Sequence, residues 1–286
     1  MRTLVHLSDL HFGRIDQSLI APLIACIHAM HPDLVVVSGD LTQRARTIEF
    51  EEARAFLAAL PMPQLVVPGN HDIPLHNPLR RFFDPLQRYR RYICETLDPV
   101  YIDDEIAVAG INTARSLTIK DGRINQDQVE HLKQTWHSAR ETAVRIIVTH
   151  HPLDVAGTVK KSQLVGDAHV LMPVLTELNV DLLLAGHHHV SHAANTTTNY
   201  PSLKQAALVI QAGTATSTRE RGESNSFNLL RIESRRIVVE RYDWMLAEAQ
   251  FQIASTSEFL READGWMQTH STKSPHALQE IDPSSR

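Results

Sequence analysis

Thr3-Leu4-Val5-His6-Leu7 runs without a break into Ser8-Asp9-Leu10-His11. A short apolar run of this kind predicts a buried strand, and it stops on Asp-x-His. The same event recurs down the chain. Leu34–Ser38 ends at Gly39-Asp40, and Leu65–Val67 at Pro68-Gly69-Asn70-His71-Asp72. Arg145–Thr149 ends at His150-His151-Pro152, and Asp181–Ala185 at Gly186-His187-His188-His189. Five apolar strands, each closing on carboxylate, amide or imidazole, place those groups along one sheet edge. In α/β folds that carboxyl edge is where ligands bind.

Helical stretches separate the strands: Ser18–Met30, Thr47–Leu60, Pro78–Glu95, Gln126–Arg140 and Ala168–Leu178, with a further strand at Ile106–Ile111. In the second of these, Ile48, Phe56, Leu57 and Leu60 recur at helical spacing opposite Glu49, Glu51, Glu52 and Arg54. Thr47 reads as its N-cap, and Pro61 and Pro63 stop it. The alternation predicts a layered α/β architecture. After Gly186, Ala207–Gln211, Ser226–Ile232 and Arg236–Arg241 read as strands with short connections, predicting an added antiparallel sheet. The expected organisation is a domain over 1–245, an extension over 246–270 and a disordered polar tail over 271–286. The extension reads as a last strand and helix or as an arm on a partner.

Composition narrows the function classes. The 286 residues are 43% hydrophobic and 21% charged, which is globular. A net charge of −5 gives no basic field for a nucleic-acid polymer. No apolar run reaches the roughly 18 residues of a membrane span, and the first residues lack the basic-then-apolar pattern of a leader. Cys26 and Cys94 make no ligand spacing, so a reduced, cytoplasmic chain is expected. Seventeen histidines point to metal binding.

Asp9, His11, Asp40 and His189 could form one four-ligand set, and Asp40, Asn70, His150 and His187 another if Asp40 bridges. In an extended segment His187 and His189 share a side and His188 points away; Asp9 and His11 share the same i, i+2 relation. A mixed nitrogen and oxygen donor set suits Mn, Fe or Zn better than Mg or Ca. Two divalent ions, two aspartates and a bridging hydroxide leave a site of roughly +1, complementary to a phosphodiester anion. His71 follows Asn70 and could protonate the leaving alkoxide, with Asp72 orienting it.

With these motifs the chain resembles the calcineurin-like metallophosphoesterase superfamily, whose pattern of Asp-x-His, Gly-Asp, Gly-Asn-His-Asp/Glu, His and Gly-His-x-His is present in full. The resemblance spans Thr3 to about His192 and extends to Ala212-Gly213-Thr214. It implies a four-layer αββα fold and a dinuclear metal centre of two divalent or mixed-valence ions. It carries first-metal ligation onto Asp9, His11, Asp40 and His189, second-metal ligation onto Asp40, Asn70, His150 and His187, and the catalytic role onto His71. The spacing to Pro152 favours His150 over His151, leaving His151 as an outer candidate. HLSDLHFG, GDLTQ and VPGNHD look most like class III cyclic-nucleotide phosphodiesterases and related bacterial phosphodiesterases.

The expected activity is therefore phosphodiester hydrolysis by attack of a metal-bridging hydroxide, on a 3′,5′-cyclic nucleotide such as cAMP. The alternatives are a glycerophosphodiesterase, a nucleotide-lipid pyrophosphatase or a phosphomonoesterase on the same centre. A non-enzymatic interaction scaffold has no chemical need for a full ligand set. A small-molecule substrate and, by analogy with relatives, a homodimer are the expected partners. Lys160, Lys161, Arg219 and Arg221 are substrate-contact candidates, weighed against solvated loops, as are Arg44 and Arg46. Phe82, Phe83, Tyr89 and Tyr92 read as core ahead of a substrate-facing cap.

Overall fold

The first three parallel strands, β1 (Arg2–Leu7), β2 (Leu34–Ser38) and β3 (Gln64–Val67), form where the sequence shows its β-branched runs. The computed structural model describes residues 1–75, 77–116, 122–153, 174–175, 177–188, 192–195, 207–218, 224–263 and 265–274. Strands β4 (Val100–Ile102), β5 (Ile106–Gly110), β6 (Val144–Val148), β7 (Leu182–Ala185), β8 (His192–Asn195) and β9 (Leu208–Gln211) make a second sheet in the order β4-β5-β6-β7-β9-β8. Its inner four strands are parallel and its two edges antiparallel. Beside β1, the first sheet continues antiparallel through β10 (Ser226–Glu233), β11 (Arg236–Met245), β12 (Gln250–Glu262) and β13 (Gly265–Lys273), in the order β13-β12-β11-β10-β1-β2-β3.

Side-chain alternation along the strands sorts the core into three sheets of contact. Leu4, Val36 and Leu65 face Ile146, Leu182 and Ile210, so the two sheets pack on each other. On the far side of the first sheet, Val5, Leu7, Val35 and Val37 pack under α1 (Ile20–Ala29) and α2 (Thr47–Ala58). On the far side of the second, Ala107, Ile147 and Val209 pack under α5 (Gln126–Trp136) through Val129, Leu132 and Trp136. The result is the four-layer αββα sandwich expected from the resemblance. No helix among the described residues is long and apolar enough to cross a membrane.

Several local readings are corrected. In α2 Ile48 is exposed while Glu49 is buried, and Arg46, not Thr47, is the N-cap. Pro78–Glu95 is not one helix: α3 (Pro78–Phe83) and α4 (Gln87–Tyr92) are separated at Asp84-Pro85, because proline disfavours helical backbone at the residue before it. Tyr89 is core, its hydroxyl donating to the Val66 carbonyl at 2.8 Å, but Phe82 and Phe83 are exposed. In the region read as a strand and helix or an arm, the structure has two long strands of the main sheet. Trp266 lies between the sheets and donates from Nε1 to Asp181 at 3.0 Å, where Arg261 also pairs with Asp181 at 2.8 Å. β13 runs to Lys273, into the stretch read as tail, and 275–286 lie outside the described residues.

Candidate metal centre

The loops after β1, β2, β3, β6 and β7 meet at one edge. Asp9 donates from its backbone N–H to the Gly39 carbonyl at 3.1 Å, and His11 to that of Asp40 at 2.9 Å. Asp9, His11, Asp40 and His187 all adopt left-handed backbone, with φ of 52°, 53°, 52° and 74°. Such conformations are costly for non-glycine residues and persist where the surrounding structure over-determines them. Asp9 and His11 therefore converge through paired left-handed residues, not through the extended i, i+2 geometry expected. His187 departs from an extended segment for the same reason.

Buried donor atoms gather in two groups, Asp9 with His11 and Asp40, and His150 with His151 and His187, each within a 4.8 Å spread. Asp40 stands between them. Its Oδ2 lies 3.7 Å from His11 Nε2, and its Oδ1 lies 3.4 Å from His150 Nε2. Asp9 Oδ1 is 3.6 Å from His11 Nε2, and Asn70 Oδ1 is 3.1 Å from His150 Nε2. His187 Nδ1 is 3.3 Å from that same nitrogen. Ligands on one ion with bonds of about 2.0–2.2 Å stand about 3–3.6 Å apart, so the spacing fits a shared cation on each side of Asp40.

Hydrogen bonds fix which atoms face inward. A carbonyl can only accept, so His150 Nδ1, 2.8 Å from the Ser38 carbonyl, carries the proton of the neutral ring and leaves Nε2 for a ligand role. Ser8 Oγ donates to Asp9 Oδ2 at 2.6 Å, and the His187 N–H donates to it at 2.9 Å. His71 donates from Nδ1 to the Gln43 carbonyl at 2.8 Å, and its backbone N–H donates to Asp40 Oδ1 at 2.8 Å. His151 Nδ1 meets Thr113 Oγ1 at 2.8 Å, and its ring stands 4.7 Å from that of His187.

The charge balance also suits cations. Burial holds His11 below its ordinary pKa and His187 at about 3, so both rings are neutral donors. Burial alone would lower His150, but the Asp40 carboxylate raises it to about 9. Burial alone would raise Asp40, but His150 and His71 hold it well below the usual carboxylate range. In the bare protein a proton on His150 thus offsets Asp40, and a divalent ion would displace that proton.

Asp72 does not orient His71. One of its oxygens accepts from the Thr42 N–H and Oγ1, both at 2.9 Å; the other accepts from the Gly69 N–H at 2.9 Å and the Leu41 N–H at 3.2 Å. It stitches the Gly-Asp loop to the Gly-Asn-His loop. His189, Lys160, Lys161, Arg219 and Arg221 lie outside the described residues. Ser8, Ser38, Gln43 and Thr113 are contacts that reading the sequence missed. Ser38 and Gln43 act through backbone carbonyls, which every residue has and no motif can mark.

The calcineurin-like phosphoesterase family model matches residues 2–191. The chain belongs to that family. It is accordingly a metal-dependent phosphoester hydrolase, and the family uses a dinuclear metal centre. The chain is 26% identical over 204 residues to glycerophosphodiester phosphodiesterase GpdQ of Enterobacter lignolyticus, covering 65% of this chain and 70% of that protein. It is 24% identical over 198 residues to a probable cyclic nucleotide phosphodiesterase of Synechococcus, covering 65% and 73%. To the 3′,5′-cyclic adenosine monophosphate phosphodiesterase CpdA of Escherichia coli it is 25% identical over 174 residues, covering 58% and 59%. Among solved structures, a dimetal phosphatase from Danio rerio superposes with a TM-score of 0.62 at 14% identity, covering 84% of this chain and 95% of that one. At that identity the likeness speaks for the fold.

Proposed function

We propose that this hydrolase is a phosphodiesterase that holds two ions of Mn, Fe or Zn and cleaves a 3′,5′-cyclic nucleotide such as cAMP. The observation that carries the two-metal reading is Asp40, whose two oxygens face two different donor groups. Asp9, His11 and Asp40, with His189, would hold one ion, and Asp40, Asn70, His150 and His187 the other. Carboxylate with neutral imidazole is the donor chemistry of borderline divalent ions. When bound, such a pair supplies Lewis-acid charge for the phosphoryl oxygens and lowers the pKa of water towards neutrality.

The chain's own residues do the rest. Asp40 and Asp9 offset part of the cationic charge, leaving a site suited to a singly charged diester. His71, its Nδ1 proton committed to Gln43, presents Nε2 as the atom able to exchange a proton with the leaving oxygen. Its ring stands edge-on to His11 with centroids 4.9 Å apart, which places it at the first donor group. Cys26 and Cys94 are free thiols, which supports a reducing, cytoplasmic setting.

The cyclic-nucleotide reading draws on the Synechococcus and E. coli relatives. A glycerophosphodiester is the second reading, favoured by the longer match to GpdQ. Parallel assays of Mn²⁺-loaded protein on bis-p-nitrophenyl phosphate, p-nitrophenyl phosphate, cAMP and glycerophosphocholine separate them. Preference for cAMP among the natural diesters is expected. Diester turnover without cAMP turnover would discard the cyclic-nucleotide assignment, and protein that binds no metal would overturn the two-metal reading.

A further inference from the structure

The left-handed backbone at Asp9 and His11 is held by a segment some two hundred residues away. Residues 212–218 follow β9 and run beneath the loop after β1. Thr214 Oγ1 donates to the Asp9 carbonyl at 2.7 Å, and Thr216 Oγ1 donates to the Leu10 carbonyl at 2.6 Å. Backbone bonds complete the strap: Ala215 N–H to the Ser8 carbonyl at 3.2 Å, Asp16 N–H to that of Thr216 at 2.9 Å, and Thr218 N–H to that of Arg14 at 3.1 Å. Thr214 is 4% exposed and Thr216 0%. Asn225 closes the strap on itself, donating from Nδ2 to the Ser217 carbonyl at 2.9 Å.

We infer that Thr214 and Thr216 are positioning residues, whose hydroxyls hold the Asp9–His11 loop in the left-handed form that aims both side chains at one cation. The inference rests on the reading of Asp9 and His11 as metal ligands, and it lies beyond the segment matched by the family. A left-handed non-glycine residue costs about 1–3 kcal/mol. Without the metal, the like-charged carboxylates of Asp9 and Asp40 add no reason for the loop to stay so. A hydroxyl bonded to the carbonyl of the strained residue lets that peptide keep its orientation while buried. Valine has the shape of threonine and lacks the donor, so it removes the hydrogen bond that the buried Asp9 carbonyl accepts from Thr214.

Mn²⁺ titration of the metal-free full chain by calorimetry tests this. Wild type should show two binding events, and His11→Ala should lose one, which marks the Asp9–His11 event. Thr214→Val should weaken that marked event 10–100-fold, the usual effect of removing a group that orients a ligand, and leave the other event within threefold. Thr214→Ser should restore it. Thr216→Val and Thr216→Ser ask the same question independently should Thr214→Val not fold. Unchanged affinity in the valine variants, equal weakening of both events, or failure of the serine variants to restore binding would each overturn the inference. Loss of neither event in His11→Ala would instead defeat the ligand reading itself.

Discussion

Gly69 lies against Asp40 so closely that a methyl group on its Cα would stand 2.1 Å from Asp40 Oδ1 and 2.3 Å from the Asp40 backbone nitrogen. The φ of Gly69 is −105°, open to any residue, so it is space and not conformational freedom that requires glycine there. Gly186 repeats the arrangement one loop away, where a methyl would meet Ser8 Oγ at 1.8 Å and Asp9 Oδ2 at 2.6 Å. Gly69 and Gly186 are thus seats for carboxylates that belong to other motifs. Gly69→Ala should push Asp40 from its place, giving folded protein by circular dichroism that retains less than one metal equivalent by elemental analysis. Two retained equivalents would show that the loop yields without disturbing the centre.

Asp40→Ala removes the carboxylate whose two oxygens lie 3.7 Å from His11 Nε2 and 3.4 Å from His150 Nε2. Metal content and hydrolysis of bis-p-nitrophenyl phosphate should disappear together. One firmly bound equivalent would mean that one donor group suffices alone, and two would exclude the bridge. The free His150 also loses the carboxylate that raises its pKa, so residual metal binding should no longer release a proton near neutral pH.

The legibility of this molecule follows from the same loops. Strand ends were readable because β2, for instance, is buried along its whole length and must be apolar until the edge, where Gly39-Asp40 begins. The wrong readings were those in which tertiary contacts overrule local pattern. Gly265–Lys273 is largely polar and exposed, yet it pairs along β12, and only Trp266 at its start shows what anchors it. The paired motifs were legible as chemistry, but the left-handed backbone at Asp9 and His11 was not, because these residues bond to residues 39, 40 and 214, which leave no local trace. Asp72 misled for a related reason: adjacency to His71 suggests a partnership, whereas its oxygens accept from Leu41, Thr42 and Gly69.

His71 and Asp72 should separate cleanly. His71→Ala removes none of the candidate metal-donor atoms and keeps the backbone N–H that donates to Asp40, so metal content should hold at two equivalents while kcat for the diester falls about 100-fold, the scale of a lost general acid. Asp72→Asn should act on stability. It replaces one carboxylate oxygen, which accepts two donors, with an amide nitrogen that can only donate, at a cost of about 1–3 kcal/mol. Urea unfolding checks it; an unchanged midpoint alongside a fall in kcat would return Asp72 to a role in catalysis.

His6 gives a pH dependence of stability that the metals do not share. It is fully buried between the sheets beside Ser38 Oγ at 2.9 Å, and burial lowers its pKa to about 3 from an ordinary 6.5. The folded chain therefore keeps this ring neutral over a range in which the unfolded chain protonates it. Stability from His6 is complete above about pH 6.5 and is lost as the pH falls from there towards 3, at about 1.4 kcal/mol per pH unit for one proton. His6→Gln keeps an amide donor for Ser38 and removes the titration. Urea unfolding of metal-free protein at pH 6, 5 and 4 should then show a slope shallower than wild type by about one proton. Parallel slopes would mean that His6 takes up its proton alike in the folded and unfolded chain, and that burial does not hold it neutral.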